Sequence, residues 1–317
     1  MEIGGYIELE RFHGSIYHDG AIALNCGRGC LAYLIAARQI EKMLVPSFLC
    51  DSVTSLCLRE GVSLREYSVG EDLQPVWNFE VAEGEYLLLV DYYGQLTNES
   101  RMHAGEISFG RLIVDETQNY FALPQEGVDT LYTCRKYFGV PDGGFLYTDA
   151  LRIEGLARGE SRERVGYLIG RLERSAEEFY ADAAANNESF ADEPALIMSR
   201  FTENMLRAID YERVIASRNA NYEQLEAEFG KVNQLDLSKP VGPFAYPLLL
   251  EDGMRLKREL AQEGIFVPTL WPNVAEQAED DLARRYARDI LPLPVDQRYG
   301  PAEMDAIVHA LKNRGVA

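Results

Sequence analysis

Short apolar runs along this chain alternate with stretches in which apolar residues recur about once per helical turn. The run AIALN (Ala21 to Asn25) predicts a strand ending at Gly27-Arg28-Gly29. CLAYLIAARQIEKM after it predicts a helix with Leu31, Leu34 and Ile35 on its apolar side. MLVPSF predicts a second strand, stopped by Pro46, and Ser52 to Glu60 a second helix, closed by Gly61. VSLREYSV and EYLLLVDYYG predict further strands, the latter buried and ending at Asp91, and RLIVDETQ predicts one ending at Asp115. TLYTCRKYFGV then leads to the turn Pro141-Asp142-Gly143-Gly144 and the strand FLYTD. This alternation predicts an α/β fold around a mainly parallel sheet.

Beyond residue 151 the texture changes. Arg152 to Ala185 reads as charged helix and Glu188 to Pro194 as loop. Ser199 to Phe229 contains neither Pro nor Gly and predicts one long helix. The C-terminal part reads as a compact α/β unit: strand FAYPLLL, helix MRLKRELAQEG, strand IFVPTL, helix EDDLARRYARD, strand ILPLPV and helix PAEMDAIVHALKN. The expected organisation is a large α/β domain over residues 1–200, then a connecting helix and a small α/β domain over 201–317.

Composition narrows the function classes. With 31 basic and 51 acidic residues the formal charge is −20, which argues against a phosphate-gripping nucleic-acid surface or attraction to an anionic membrane. No apolar run is long enough to span a bilayer, and MEIGGYIELERF does not read as a secretory leader, so a cytoplasmic protein is expected. The five cysteines are odd in number and lack C-x-x-C spacing. They read as free thiols rather than a disulfide frame or zinc site, and no metal site is expected.

In an open parallel sheet, ligands bind beyond the carboxyl ends of the strands. Four groups fall at such ends: Gly27-Arg28-Gly29, Asp91-Tyr92-Tyr93-Gly94, Asp115-Glu116-Thr117-Gln118 and Thr133-Cys134-Arg135-Lys136. Asp115 follows three apolar residues, so its carboxylate needs a partner: a helix start, a structural ion pair or a cationic ligand group. Gly27-Arg28-Gly29-Cys30 opens a helix, where backbone N–H groups and the helix dipole favour phosphate. Arg28 and Arg135 are candidate anion contacts. The same loop, as Gly27-x-Gly29-x-x-Ala32 with Asp51 downstream, also meets a relaxed dinucleotide-binding pattern. Asp51, however, is expected to begin a helix rather than end a strand.

The order Asp115, Gln118, Thr133, Lys136, Gly143-Gly144 resembles the fold-type I pyridoxal-phosphate (PLP) enzymes, and more narrowly the DegT-type sugar aminotransferases. GIFVPTLWP and LPLPVDQRYGPAEMDAIVHAL extend the resemblance to about residue 315. The resemblance implies a PLP-transferase-like fold with a large mainly parallel sheet domain and a smaller C-terminal one. It implies Lys136 as the Schiff-base lysine, Asp115 against the pyridine nitrogen and Gln118 near the ring hydroxyl. Gly27, Arg28 and Gly29 would hold the phosphate with help from the Thr133 hydroxyl. The family's ring-stacking aromatic falls at Cys50 here, so either Phe48 substitutes or the stacking is lost, with Tyr92 and Tyr93 as further candidates. The family's Asn-Tyr-Arg segment is not evident; SRFTENMLRAIDYE occupies its place. The implied activity is transfer of an amino group, with glutamate as donor, to a nucleotide-linked keto sugar, in a homodimer serving polysaccharide biosynthesis. The alternatives are a PLP-dependent lyase or dehydratase and a non-catalytic, regulatory member of the fold.

Overall fold

The computed structural model describes residues 3–316. Its first part runs β1 (Ile22–Leu24), α1 (Gly27–Arg38), β2 (Lys42–Pro46), α2 (Asp51–Arg59), β3 (Ser63–Tyr67), β4 (Glu85–Val90), α3 (Asn98–Ser108), β5 (Leu112–Asp115), β6 (Asp129–Thr133) and β7 (Gly144–Tyr147). These strands form one seven-stranded sheet in the order β1-β7-β6-β5-β4-β2-β3. The pairs β2/β3, β2/β4, β4/β5 and β5/β6 are parallel, whereas β7 runs antiparallel to both β6 and β1. Two reversals through β7 restore the direction, so the carboxyl ends of β1, β4, β5 and β6 share one edge.

Every residue of β5 and β6 is buried, as expected for strands covered on both faces. Helix α1 lays Gly29 to Ile35 against the sheet without a break. It is shorter than the sequence pattern predicts. Gln39 adopts a left-handed conformation (φ 53°) and its N–H closes onto Ile35 O, which stops the helix and releases Lys42 and Met43 into β2. Helix α3 went unpredicted; its face is largely polar, and the Thr97 side chain caps it by accepting from Ser100 N.

The remainder comprises α4 (Gly166–Glu173), α5 (Tyr180–Ser189), α6 (Arg200–Leu206), α7 (Tyr211–Phe229), β8 (Ala245–Leu249), α8 (Gly253–Gln262), α9 (Pro272–Gln277), α10 (Asp281–Asp289), β9 (Ile290–Pro294) and α11 (Pro301–Lys312). Three expectations are corrected here. The charged stretch from Arg152 is not one helix. Residues 151–165 lack helix, Gly155 sits at φ 77°, and Arg174 in extended conformation separates α4 from α5. The predicted long helix is two, because the Ser199 and Asp210 side chains each cap a separate N-terminus. IFVPTL is not a strand: the second sheet among the described residues is the antiparallel pair β8/β9, and residues 265–270 join neither of its edges. That pair packs with α7, α8 and α11 through Tyr222, Leu225, Leu248, Leu260, Leu293 and Ile307.

Among the described residues the five cysteines are unpaired, no cluster of potential metal ligands occurs, and no helix is long and apolar enough to cross a membrane.

Candidate active site

Asp115 is the last residue of β5, 8 % exposed, and its Oδ1 accepts a 2.8 Å hydrogen bond from Thr117 N. Lys136 lies three residues past β6, and its Nζ donates to Thr117 Oγ1 at 3.2 Å. Thr117 therefore joins the carboxylate and the amine. Burial pushes the Lys136 amine below the usual lysine range, with the attraction of Asp115 opposing it. Burial likewise raises the Asp115 carboxyl, and Lys136 opposes that shift. The Lys136 side chain remains open to solvent although protein crowds its amine. The ring of Phe244 lies 5.6 Å from Nζ. Buried Arg218 fixes that neighbourhood, because its guanidinium donates to the carbonyls of Tyr137, Pro243 and Phe244 and to Gln297 Oε1.

Gln118 is 1 % exposed; its Oε1 accepts from Tyr93 N at 2.9 Å, while its Nε2 has no partner. Tyr93 belongs to a 3-10 turn, Tyr92–Gly94, after β4. It holds a left-handed backbone (φ 54°) that aims its N–H at Gln118.

At the start of α1, a Cβ on Gly27 would come 3.4 Å from the Thr117 methyl, so the phosphate-type loop packs directly on the Asp115–Lys136 bridge. The Gly143-Gly144 turn locks this arrangement. Gly143 sits at φ 119° and donates to Asn25 O, and a Cβ on Gly144 would lie 2.7 Å from the Cys26 carbonyl carbon.

Two of the expected site residues are engaged elsewhere in the protein. Thr133 donates its hydroxyl to Gly143 O at 3.3 Å and is buried, so it braces the glycine turn instead of facing the loop. Phe48 is fully buried, with Trp271, Tyr92 and Tyr286 at ring-centroid distances of 4.4, 5.0 and 5.6 Å. It belongs to the hydrophobic core and has no free face for a cofactor ring. Cys50 occupies the position before α2 without a side-chain capping hydrogen bond. Asp51 opens α2 rather than ending β2, which removes the acidic element of the dinucleotide pattern.

Sequence reasoning assigned no individual role to Thr117 or Phe244 and did not join Arg28 and Arg135 to Asn187, Phe190 and Arg164. Arg28 Nη2 donates to Asn187 O at 2.6 Å and to its Oδ1 at 3.3 Å. Arg135 Nη1 and Nη2 reach the same Oδ1 at 3.3 and 3.4 Å. The Phe190 ring lies between Arg28, Arg135 and Arg164, at 5.8, 4.6 and 4.8 Å. Asn187 is on α5 and Phe190 follows it, far from the arginines in sequence and without any local motif.

Behind this edge lies a buried ionic cluster. Arg101 reaches Asp91 Oδ2 at 2.7 Å and Glu116 Oε1 at 2.5 Å, and Asn119 Nδ2 donates to Asp91 Oδ2 at 2.8 Å. Burial and the neighbouring Asp91 raise the Glu116 carboxyl well above the usual range.

Similar solved structures have this same arrangement of elements. Sugar aminotransferase CalS13 from Micromonospora echinospora is 16 % identical, with 92 % of this chain and 87 % of that one covered at a TM-score of 0.63. The fold is that of the sugar aminotransferases. Spr1654 from Streptococcus pneumoniae, described as a putative sugar aminotransferase, matches at 14 % identity, 92 % and 85 % coverage and TM-score 0.65, and has been solved in PLP and PMP forms. Helicobacter pylori PseC, an aminotransferase of pseudoaminic acid biosynthesis, matches at 11 % identity, 92 % and 86 % coverage and TM-score 0.63. No family model matches the sequence, and no curated protein matches it either. The sugar-aminotransferase fold therefore persists here at a level of identity where sequence alone carries little signal.

Proposed function

We propose that the chain is a PLP-dependent aminotransferase that delivers an amino group to a keto sugar. The observation that carries this reading is the Asp115–Thr117–Lys136 bridge packed against the glycine-opened start of α1. The residues present fit the cofactor. Gln118 Nε2 is a buried donor without an acceptor, as a ring oxygen would require; Arg135 Nε is a second such donor; and Gly27 leaves the helix start open.

Bound PLP supplies a ring that withdraws electrons from the substrate carbon losing its proton. Lys136 would remove that proton and return it, its amine lowered below the usual lysine range by desolvation against the pull of Asp115. Asp115 would hold the ring nitrogen in its charged form, and Thr117 would orient both groups. Tyr93 N holds Gln118 Oε1, which would leave the Gln118 amide N–H groups for the ring. Glutamate as donor, a nucleotide-linked sugar as acceptor, a homodimer and a cytoplasmic setting complete the reading, on the strength of the motif resemblance.

Purified protein given PLP is expected to develop a visible absorbance band that Lys136→Ala abolishes and glutamate bleaches. A wild-type protein that stays colourless overturns the reading. A band that no amino donor alters points to a lyase or dehydratase. Burial of Phe48 and the presence of Cys50 favour one second reading, a non-catalytic binding protein on this fold, which predicts no turnover with any donor.

A further inference from the structure

Among the described residues Lys136 Nζ donates only to the neutral Thr117 Oγ1, at 3.2 Å, and no carboxylate pairs with it directly. Its other close neighbour is the Phe244 ring, whose centroid at 5.6 Å lies within cation–π range. Phe244 is half-buried and directly precedes β8, so it reaches the reactive lysine from the C-terminal unit.

That ring is held in place from several sides. Arg218, with no exposed surface, donates from α7 to Pro243 O at 2.8 Å, Phe244 O at 3.4 Å and Tyr137 O at 3.3 Å. One guanidinium thus ties the Phe244 backbone to the residue after Lys136. Gln297 Nε2 donates to the same Tyr137 O at 2.7 Å. The Phe244 ring stacks on Tyr93, with centroids 6.4 Å apart and planes at 27°, and lies 6.1 Å from the Tyr137 ring.

The proposed reaction needs Lys136 neutral to take a proton and charged to return it. Apolar crowding alone would drive the charged amine toward water, which its open side chain can reach. Asp115 attracts it, but meets it only through Thr117. An aromatic face attracts a cation weakly, without fixing the proton as a contacting carboxylate would. Resting on the PLP reading above, we infer that Phe244 is a positioning residue for Lys136: its ring seats the charged amine beside Thr117, and Arg218 holds that seat in place. The other titratable and charged groups around the amine are Asp115, Cys50 before α2 and the adjoining Arg135, while Tyr93 and Tyr137 pack on Phe244 itself.

The test follows labelling of Lys136 by acetic anhydride against pH in protein without added cofactor, read by peptide mass spectrometry with exposed Lys231 as reference. Phe244→Leu keeps apolar bulk but removes the aromatic face. Its Lys136 midpoint should fall by about half to one pH unit while Lys231 stays unmoved, and Phe244→Tyr should keep the wild-type midpoint. With pyridoxal phosphate bound, Phe244→Leu should slow bleaching by glutamate roughly twofold to tenfold, and Phe244→Tyr should not. An unmoved or raised midpoint in Phe244→Leu, an equal fall in Phe244→Tyr, or unaltered bleaching overturns the seat. If wild type gives no band with pyridoxal phosphate, the PLP reading fails, and the labelling series still decides the seat by itself.

Discussion

Replacing Arg101 by methionine removes the cation that lies between two buried carboxylates, Asp91 with no exposed surface and Glu116 with 1 %. Breaking a buried ion pair from one side costs about 3–5 kcal/mol, because a charge is left without compensation. The structure places this site at the lower end. Asp91 keeps two donors, Leu96 N at 2.7 Å and Asn119 Nδ2 at 2.8 Å, and Glu116, whose affinity for a proton is already raised, escapes as the neutral acid. The expected loss is therefore about 3 kcal/mol. In urea unfolding, with a slope of about 3 kcal/mol/M for a chain of this size, the midpoint drops by roughly 1 M at unchanged slope. Glu116→Gln is expected to cost less than Arg101→Met, since the amide keeps an acceptor oxygen for Arg101 and leaves no buried charge behind. A midpoint for Arg101→Met within about 0.3 M of wild type refutes the view that Arg101 neutralises this cluster.

Three further outcomes are expected. His18 is buried, its Nε2–H donating to Tyr120 O at 2.7 Å, and burial pushes its pKa down to about 4, so the unfolded chain binds the extra proton. Stability linked to His18 is complete above about pH 6.5 and is lost as pH falls toward 4, about 3 kcal/mol in all, and His18→Gln should flatten that window in urea titrations at stepped pH. Gly144→Ala drives a Cβ to 2.7 Å from the Cys26 carbonyl carbon and is expected to cost about 1–3 kcal/mol and weaken pyridoxal phosphate binding, measured by unfolding and absorbance titration. Thr117→Val keeps the methyl against Gly27 but removes the oxygen that accepts from Lys136. Stability should hold within about 1 kcal/mol while the pH midpoint of the Lys136-dependent band falls, a shift absent if Thr117 does not touch the amine.

β4 and β5 were legible because they are buried and carry the apolar runs Leu87–Val90 and Leu112–Val114, whereas β6 is buried with the mixed sequence DTLYT. Asp115 was legible because it directly follows such a run, and Lys136 because its order after Asp115 and Gln118 carries the family resemblance. What failed was governed by contacts distant in sequence or by single backbone angles. IFVPTL has strand composition, but composition does not reveal that these residues join neither edge of β8/β9. The end of α1 at Gln39 turns on one left-handed residue that no glycine announces. Phe48 and Cys50 sit two positions apart, and only the packing of Trp271 and Tyr286 decides that the aromatic goes into the core. The guanidinium cluster joins Arg28 to a helix 159 positions away, with no local pattern to mark it.

The chain's charge balance gives that cluster its weight. With 51 acidic residues against 31 basic ones, a guanidinium near the interior has many carboxylates to choose from. Most of its kind find one: Arg38 pairs with Asp129, Arg65 with Glu85, Arg101 with Asp91 and Glu116, Arg164 with Glu193, and Arg314 with Glu259. Arg218 finds none but is met by four neutral oxygens in well-directed hydrogen bonds, which makes it a fastening between α7 and the Lys136 segment. Arg28 and Arg135 likewise pair with no carboxylate among the described residues and donate to the neutral oxygens of Asn187, which ties α5 to the ends of β1 and β6.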